Sequence, residues 1–143
     1  DPNPQPLGEP RRSDFPAVVC FLDVSGFTAL SEKLRKDHKQ TGAELLNTYI
    51  NSYFERLIEG LSQYGGDVIK FAGDALQVIW RSHDNIAGHD ALSLPALVLR
   101  ASMCCLDLLR HLNDFSPVPG VSLQLHMGVG AGLISAFCVG GHE

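Results

Sequence analysis

The sequence is short of positive charge. Eleven lysines and arginines stand against sixteen aspartates and glutamates, a formal net charge of −5 at pH 7. No basic field is available to hold a polyanion, which removes DNA and RNA from the expected partners. It is short of cysteine too. Cys20, Cys104, Cys105 and Cys138 form no Cys-x-x-Cys pair and no zinc-ligand spacing with the six histidines. Cys20 and Cys138 stand in apolar runs and Cys104-Cys105 in a helical pattern. All four therefore read as buried free thiols in a reducing compartment. Long apolar runs are missing as well. The best stretch, Leu92 to Leu109, is interrupted by Pro95, Arg100 and Asp107 and falls short of the roughly 18 residues of a membrane span. With no secretory leader visible, the expected location is the cytoplasm.

What is present is one globular domain's worth of chain: 143 residues, 45% apolar and 19% charged. Five of the eight prolines (Pro2, Pro4, Pro6, Pro10 and Pro16) fall in residues 1–16. That stretch reads as a polyproline-like linker or disordered end, and residues 17–143 as the folded part. The chain starts at Asp1 and stops at Gly140-Gly141-His142-Glu143, just after an apolar run. The expectation is a domain truncated at its C-terminus.

Ala17 to Leu22 is an unbroken apolar run and predicts a buried central strand. Ser25-Gly26 then opens a helix, with Phe27, Leu30 and Leu34 on one face. Thr41-Gly42-Ala43-Glu44 has the pattern of a capping box. The helix it opens runs to about Tyr64, carries a stripe from Leu46 to Leu61, and is stopped by Gly65-Gly66. Val68 to Phe71 and Ala75 to Trp80 flank Ala72-Gly73-Asp74, which predicts a β-hairpin. Residues 81–93, with His83, Asp84, His89 and Asp90, read as a solvated loop rather than a metal site. Leu94 to Leu112 predicts a third helix with Pro95 in its first turn. Val121 to Val129 alternates as a half-buried strand, Gly130-Ala131-Gly132 predicts a turn, and Leu133 to Val139 a last strand. The order β-α-α-β-β-α-β-β implies an α+β fold, with helices on one face of a mixed, mostly antiparallel sheet.

Two acids stand out in this layout. Asp23 ends the first strand before a glycine turn and a helix, and Asp74 sits at the hairpin tip. Two strand-end carboxylates facing one crevice suit a pair of Mg²⁺ ions, which take few protein ligands and complete their shells with substrate phosphates. The first-turn amides of Phe27 and Thr28 would face the same crevice and offer a phosphate seat. Read singly, Asp23 and Ser25 are also good helix caps, and Asp74 a good turn residue. Lys70 is unusual inside an apolar strand, unless it snorkels to water. His126, on the polar face of its strand, reads as exposed.

Phe21-Leu22-Asp23-Val24-Ser25-Gly26-Phe27-Thr28, followed by Phe71-Ala72-Gly73-Asp74-Ala75, resembles the class III nucleotidyl cyclase catalytic domain. Within that family it is most similar to the first cyclase domain of the soluble, bicarbonate-responsive adenylyl cyclases. The resemblance implies a ferredoxin-like core and conversion of ATP to cyclic AMP and pyrophosphate by a two-metal mechanism in cyclic-nucleotide signalling. It implies Mg²⁺ (two ions, with Mn²⁺ as the alternative), held by Asp23, Asp74 and the main-chain carbonyl of Val24. It places the triphosphate on Ser25, Gly26, Phe27 and Thr28. It gives Lys70 either the adenine ring or bicarbonate, and leaves that choice open. It also implies a site shared with a second cyclase domain, in the same chain or a homodimer. The family's transition-state asparagine and arginine would lie beyond Glu143, so this stretch alone is expected to be inactive. The competing readings are a non-catalytic regulatory half that binds nucleotide or bicarbonate, and a diguanylate-cyclase-like palm. Gly65-Gly66-Asp67 lacks the Glu-Phe continuation of the latter.

Overall fold

A computed structural model describes residues 11–73, 75–82 and 92–138. The elements are β1 (Arg11–Ser25), α1 (Phe27–Asp37), α2 (Gly42–Gln63), β2 (Asp67–Ala72), β3 (Ala75–Arg81), α3 (Leu94–Leu112), β4 (Phe115–Val118) and β5 (Val121–Cys138). The strands form one sheet in the order β2-β3-β1-β5-β4. Every pairing in it is antiparallel.

The sheet is two-faced because β1 alternates. Val18, Cys20, Leu22 and Val24 are fully buried, together with Leu76, Val78 and Trp80 of β3 and Leu123 and Leu125 of β5. Tyr53, Leu57 and Leu61 of α2 and Leu97, Ala101, Cys104 and Leu108 of α3 close over them. Helix α1 packs to one side, where Leu30 and Leu34 meet Val121. The polar tips inside this core are satisfied. The Tyr53 hydroxyl donates to Leu112 O at 3.0 Å and Trp80 Nε1–H to Tyr64 O at 3.1 Å. The opposite face of the sheet, bearing Phe21, Asp23 and Ser25, is exposed.

Helix α2 ends as glycine chemistry requires. Gly65 has φ +71°, its N–H bonds Ser62 O at 2.9 Å, and the Gly66 N–H bonds Leu61 O at 3.0 Å. This is a Schellman cap. A side chain at Gly66 would strike the Trp80 ring at 2.8 Å. At the other end Thr41 is the N-cap residue, as the sequence suggests, but no side-chain cap bond forms. The capping box exists only as a pattern. Glu44 still places a carboxylate in the first turn, where the helix dipole favours it.

Three expectations are corrected. β1 begins at Arg11, so residues 11–16 are strand and not linker. Gly130-Ala131-Gly132 is not a turn: β5 continues unbroken to Cys138. The two departures are one event, because Arg11 to Pro16 pair with Cys138 to Leu133. Pro16 is tolerated because β3 ends opposite Ala17 and claims no bond from it. Third, β2 carries a bulge. Val68 pairs with Val78 but Lys70 with Gln77, leaving Ile69 as the extra residue. The last two strands are therefore the short β4 and the long β5, not two halves of residues 121–139.

Candidate active site on the open face of the sheet

Asp23 lies on the exposed face, two residues before β1 gives way to α1. It is flanked by Ala75 on β3 and His126 on β5, and Ala75 is in turn paired with Ala72 on β2. Small neighbours on the β3 side leave the carboxylate unobstructed there. The β2–β3 hairpin turns at Gly73, whose φ of +67° is the left-handed conformation glycine adopts freely. Asp74 itself lies outside the described residues, as do His83, Asp84, His89 and Asp90. Ala72 and Ala75, where the two hairpin strands end and begin, lie in the row occupied by Asp23.

The turn from β1 into α1 is fixed by Gly26. Its φ is +107°, and an added Cβ would sit 2.5 Å from the Ser122 carbonyl oxygen on β5. Helix α1 therefore starts hard against β5, and its N-cap has no side chain to offer. Ser25 does not cap. Its Oγ lies 3.3 Å from His126 Nε2 across the sheet. The first-turn N–H groups keep their donor capacity, and no acidic side chain occupies that turn. Phe27 contributes only main chain, because its ring packs on Phe54 at 5.9 Å and edge-on to Tyr53 at 6.3 Å. Thr28 is exposed. Val24 is fully buried and pairs with Leu125 on β5.

The donors here are hard. One exposed carboxylate with open surroundings suits an ion such as Mg²⁺, which takes one or two carboxylates and fills its shell with phosphate and water oxygens. Among the described residues, no group of three or more His, Cys, Asp and Glu gathers to form a denser metal site. His126 reaches this row through the pairing of β5 with β1. Its alternation pattern placed it on a polar face, but one strand's pattern cannot say which strand lies beside it.

Lys70 is on the same open face, one row further from α1. The bulge decides this. In an unbroken ladder Lys70 would fall opposite Leu76, which is buried under the helices. With Ile69 as the extra residue it falls opposite Gln77, which is itself opposite Phe21. Rows on one face of a sheet are about 7 Å apart, so Lys70 and Asp23 occupy neighbouring but separate positions.

The family described as adenylate and guanylate cyclase catalytic domain matches residues 12–143. The chain belongs to that family. Among relatives, the cyclase domain is 31% identical over 127 residues to adenylate cyclase type 10 of Oryctolagus cuniculus, covering 88% of this chain but 8% of that protein. It therefore spans a small part of the length of the relatives it matches. Among solved structures, the adenylyl cyclase CyaB from P. aeruginosa superposes with a TM-score of 0.65 at 22% identity, over 87% of this chain and 60% of that one. A dimeric guanylyl cyclase domain of the RhoGC fusion protein from the fungus Blastocladiella emersonii gives 0.60 at 20% identity, over 92% and 66%. These likenesses confirm the class III cyclase fold. No helix among the described residues is long and apolar enough to cross a membrane.

Proposed function

We propose that this cyclase domain converts ATP to cyclic AMP and pyrophosphate, and that it supplies the metal-bearing half of the site. The observation that carries the proposal is the meeting of an exposed strand-end carboxylate, Asp23, with a helix start whose amides are uncapped and which Gly26 holds against β5. Asp23 and Asp74, with the main-chain carbonyl of Val24, would hold two Mg²⁺ ions, or Mn²⁺ in their place. Bound there, the ions would acidify the ribose 3′-hydroxyl and offset the charge that builds on the leaving pyrophosphate. The amides of Phe27 and Thr28 receive phosphate oxygens by direct N–H donation, and the Thr28 hydroxyl adds a further donor. His126, tied to the Ser25 hydroxyl, limits how far the triphosphate can slide along β5.

A second cyclase domain is expected to close the site. The open face carries Phe21 at 59% exposure, and at the bulge of edge strand β2 Ile69 is exposed as well, apolar surface that a partner would cover. Lys70 belongs to this covered face. It serves either the adenine ring of ATP or a bicarbonate ion in a second, regulatory seat; a place one row from Asp23 is compatible with both. The free thiols of Cys20, Cys104 and Cys105 favour a reducing compartment such as the cytoplasm.

The test uses the full-length protein with Asp23→Asn and Asp74→Asn. Each is expected to lower cyclic AMP formation by at least roughly a hundredfold and to weaken Mn²⁺ binding read by electron paramagnetic resonance. Mn²⁺ binding and cyclic AMP output at wild-type levels in either variant would overturn the assignment.

A further inference from the structure

Helix α3 is apolar on two sides. Its inner side, with Leu97, Ala101, Cys104 and Leu108, is buried in the core. Its outer side carries Leu99, Met103 and Leu106, which are 63%, 52% and 59% exposed. At about 100° per residue these three fall within an arc of about 60°, so they form one stripe. A single exposed leucine needs no explanation, but an aligned set does, because a helix that is hydrophobic all round is normally a covered one. The charges beside the stripe are Arg100, Asp107 and Arg110, few and of mixed sign. A helix that lies on a membrane instead carries a basic polar face. Protein is the cover this stripe suits.

We propose that this stripe binds a second copy of the chain through an antiparallel α3–α3 contact. The charges choose that partner. Arg100 is exposed, Asp107 is half-buried, and they stand seven residues apart, so they share one flank of the stripe. A two-fold axis perpendicular to the helix sets that flank against the same flank of the second copy. When the axis is level with the peptide between Met103 and Cys104, Arg100 of each copy stands level with Asp107 of the other. One register thus makes two opposite-charge pairs, and it also seats the apolar residues. Leu106 of one copy falls between Leu99 and Met103 of the other, and the two Met103 side chains meet beside the axis. Arg110 ends the stripe, with its stem along Leu99 of the other copy and its guanidinium in water. The contact lies on the helix side of the sheet, away from the face that bears Phe21 and Asp23, and leaves that face free for a second cyclase domain. A pair of 19-residue helices, each about 28 Å long, buries less than the roughly 1,200 Å² of a standard stable interface. The association is therefore weak and concentration-dependent.

Sedimentation velocity of the full-length protein over a concentration series reads the association. The wild type is expected to self-associate in the micromolar range. Leu106→Glu should weaken that association by at least about tenfold. Arg100→Glu and Asp107→Arg each set like charges opposite one another and should weaken it by a similar factor, whereas the double variant should regain the wild-type value. Met103→Cys is a mild change at an exposed position and should give a disulfide-linked dimer under copper–phenanthroline oxidation. This arm decides the matter if a charged variant fails to fold. A wild-type mass that is independent of concentration, with no cross-link through Met103→Cys, refutes the proposal. Self-association that none of the variants alters runs through another surface and refutes it too. So does a Leu106→Glu protein whose Tm falls while its association is unchanged, because another part of the parent chain then covers the stripe. If the double variant associates no better than either single one, the antiparallel register is wrong and the proposal falls with it.

Discussion

Among the described glycines at a positive φ, Gly26 is the one whose replacement with alanine should damage the domain most. Two separate effects add. The residue sits at φ +107°, ψ −8°, where an L side chain costs about 1–2 kcal/mol. Its new Cβ would also lie 2.5 Å from Ser122 O and 3.2 Å from a Leu123 methyl. The Ser122 carbonyl belongs to β5 where that strand is held by β4 on one side and leads into the β1 ladder, so it cannot yield alone. Overpacking of this kind costs a further 1–3 kcal/mol, roughly, giving a total of about 2–5 kcal/mol. For a chain of this length the melting temperature should fall by roughly 6–15 °C. Gly120 is the control. It also has positive φ, +83°, but an added Cβ there meets nothing within 4 Å. Gly120→Ala should therefore show the backbone part alone, about 1–2 kcal/mol. Chemical denaturation of the two variants separates the effects. If Gly26→Ala and Gly120→Ala lose stability equally, the contact with β5 is not what fixes the start of α1, and the placement of the uncapped amides beside Asp23 loses its physical basis.

Other outcomes follow from the core and from the surface. Tyr53→Phe removes a buried hydroxyl bond to Leu112 O and should lower stability by about 1 kcal/mol in urea titration, with the m-value unchanged. Burial holds the Cys104 thiol up at about 12, from an ordinary 9.0, and the Tyr53 hydroxyl up at about 12, from 10.0. The unfolded chain releases these protons first, so stability should be intact below about pH 9 and fall steadily as pH rises toward 12. A denaturation midpoint that stays flat to pH 11 would contradict this. Cys20 is pushed the same way by its contact with Cys105, Sγ to Sγ 4.0 Å, and by burial. Site-resolved mass spectrometry should accordingly find Cys20 and Cys104 unalkylated by iodoacetamide at neutral pH until denaturant is added. Lys33→Ala, which removes an exposed pair with Asp37 at 2.9 Å, should change stability by under about 0.5 kcal/mol.

Much of the fold was legible because periodicity and punctuation agreed. Leu30 and Leu34, the Gly65-Gly66 stop, Pro95 at the start of α3 and the alternation from Val121 are each local signals, and each marks a helix face or an element boundary that the structure has, although the strand from Val121 runs on past Val129. The failures were non-local. A proline-rich stretch does not announce that a partner strand some 120 residues away will pair with it, yet Asp14 meets Ser135 across 121 residues. The glycines of β5 looked like a turn because in isolation glycine is a turn residue; pairing with β1 overrides that preference. The bulge at Ile69 was invisible for the same reason, since a bulge is a property of two strands. At the candidate site, Asp23 and Gly26 could be read from their position between a strand and a helix. His126 could not, because it becomes a neighbour of Asp23 only through register.

The central position of β1 has a consequence for how the molecule is made. Asp23 and Gly26 leave the ribosome well before β5, and the strand that carries them is completed on one side only when β5 arrives; Ser25 and His126 are 101 residues apart. Closing so long a loop is entropically slow, and until it closes β1 presents an apolar, half-paired edge to everything nearby. The helices and the β2–β3 hairpin can form in that interval from local contacts. The cradle around Asp23 cannot, because the wall that positions Gly26 is β5 itself. During synthesis, then, the nascent domain passes through a stage that holds most of its secondary structure while its acid strand is still unseated. That is the stage at which aggregation competes most strongly with folding.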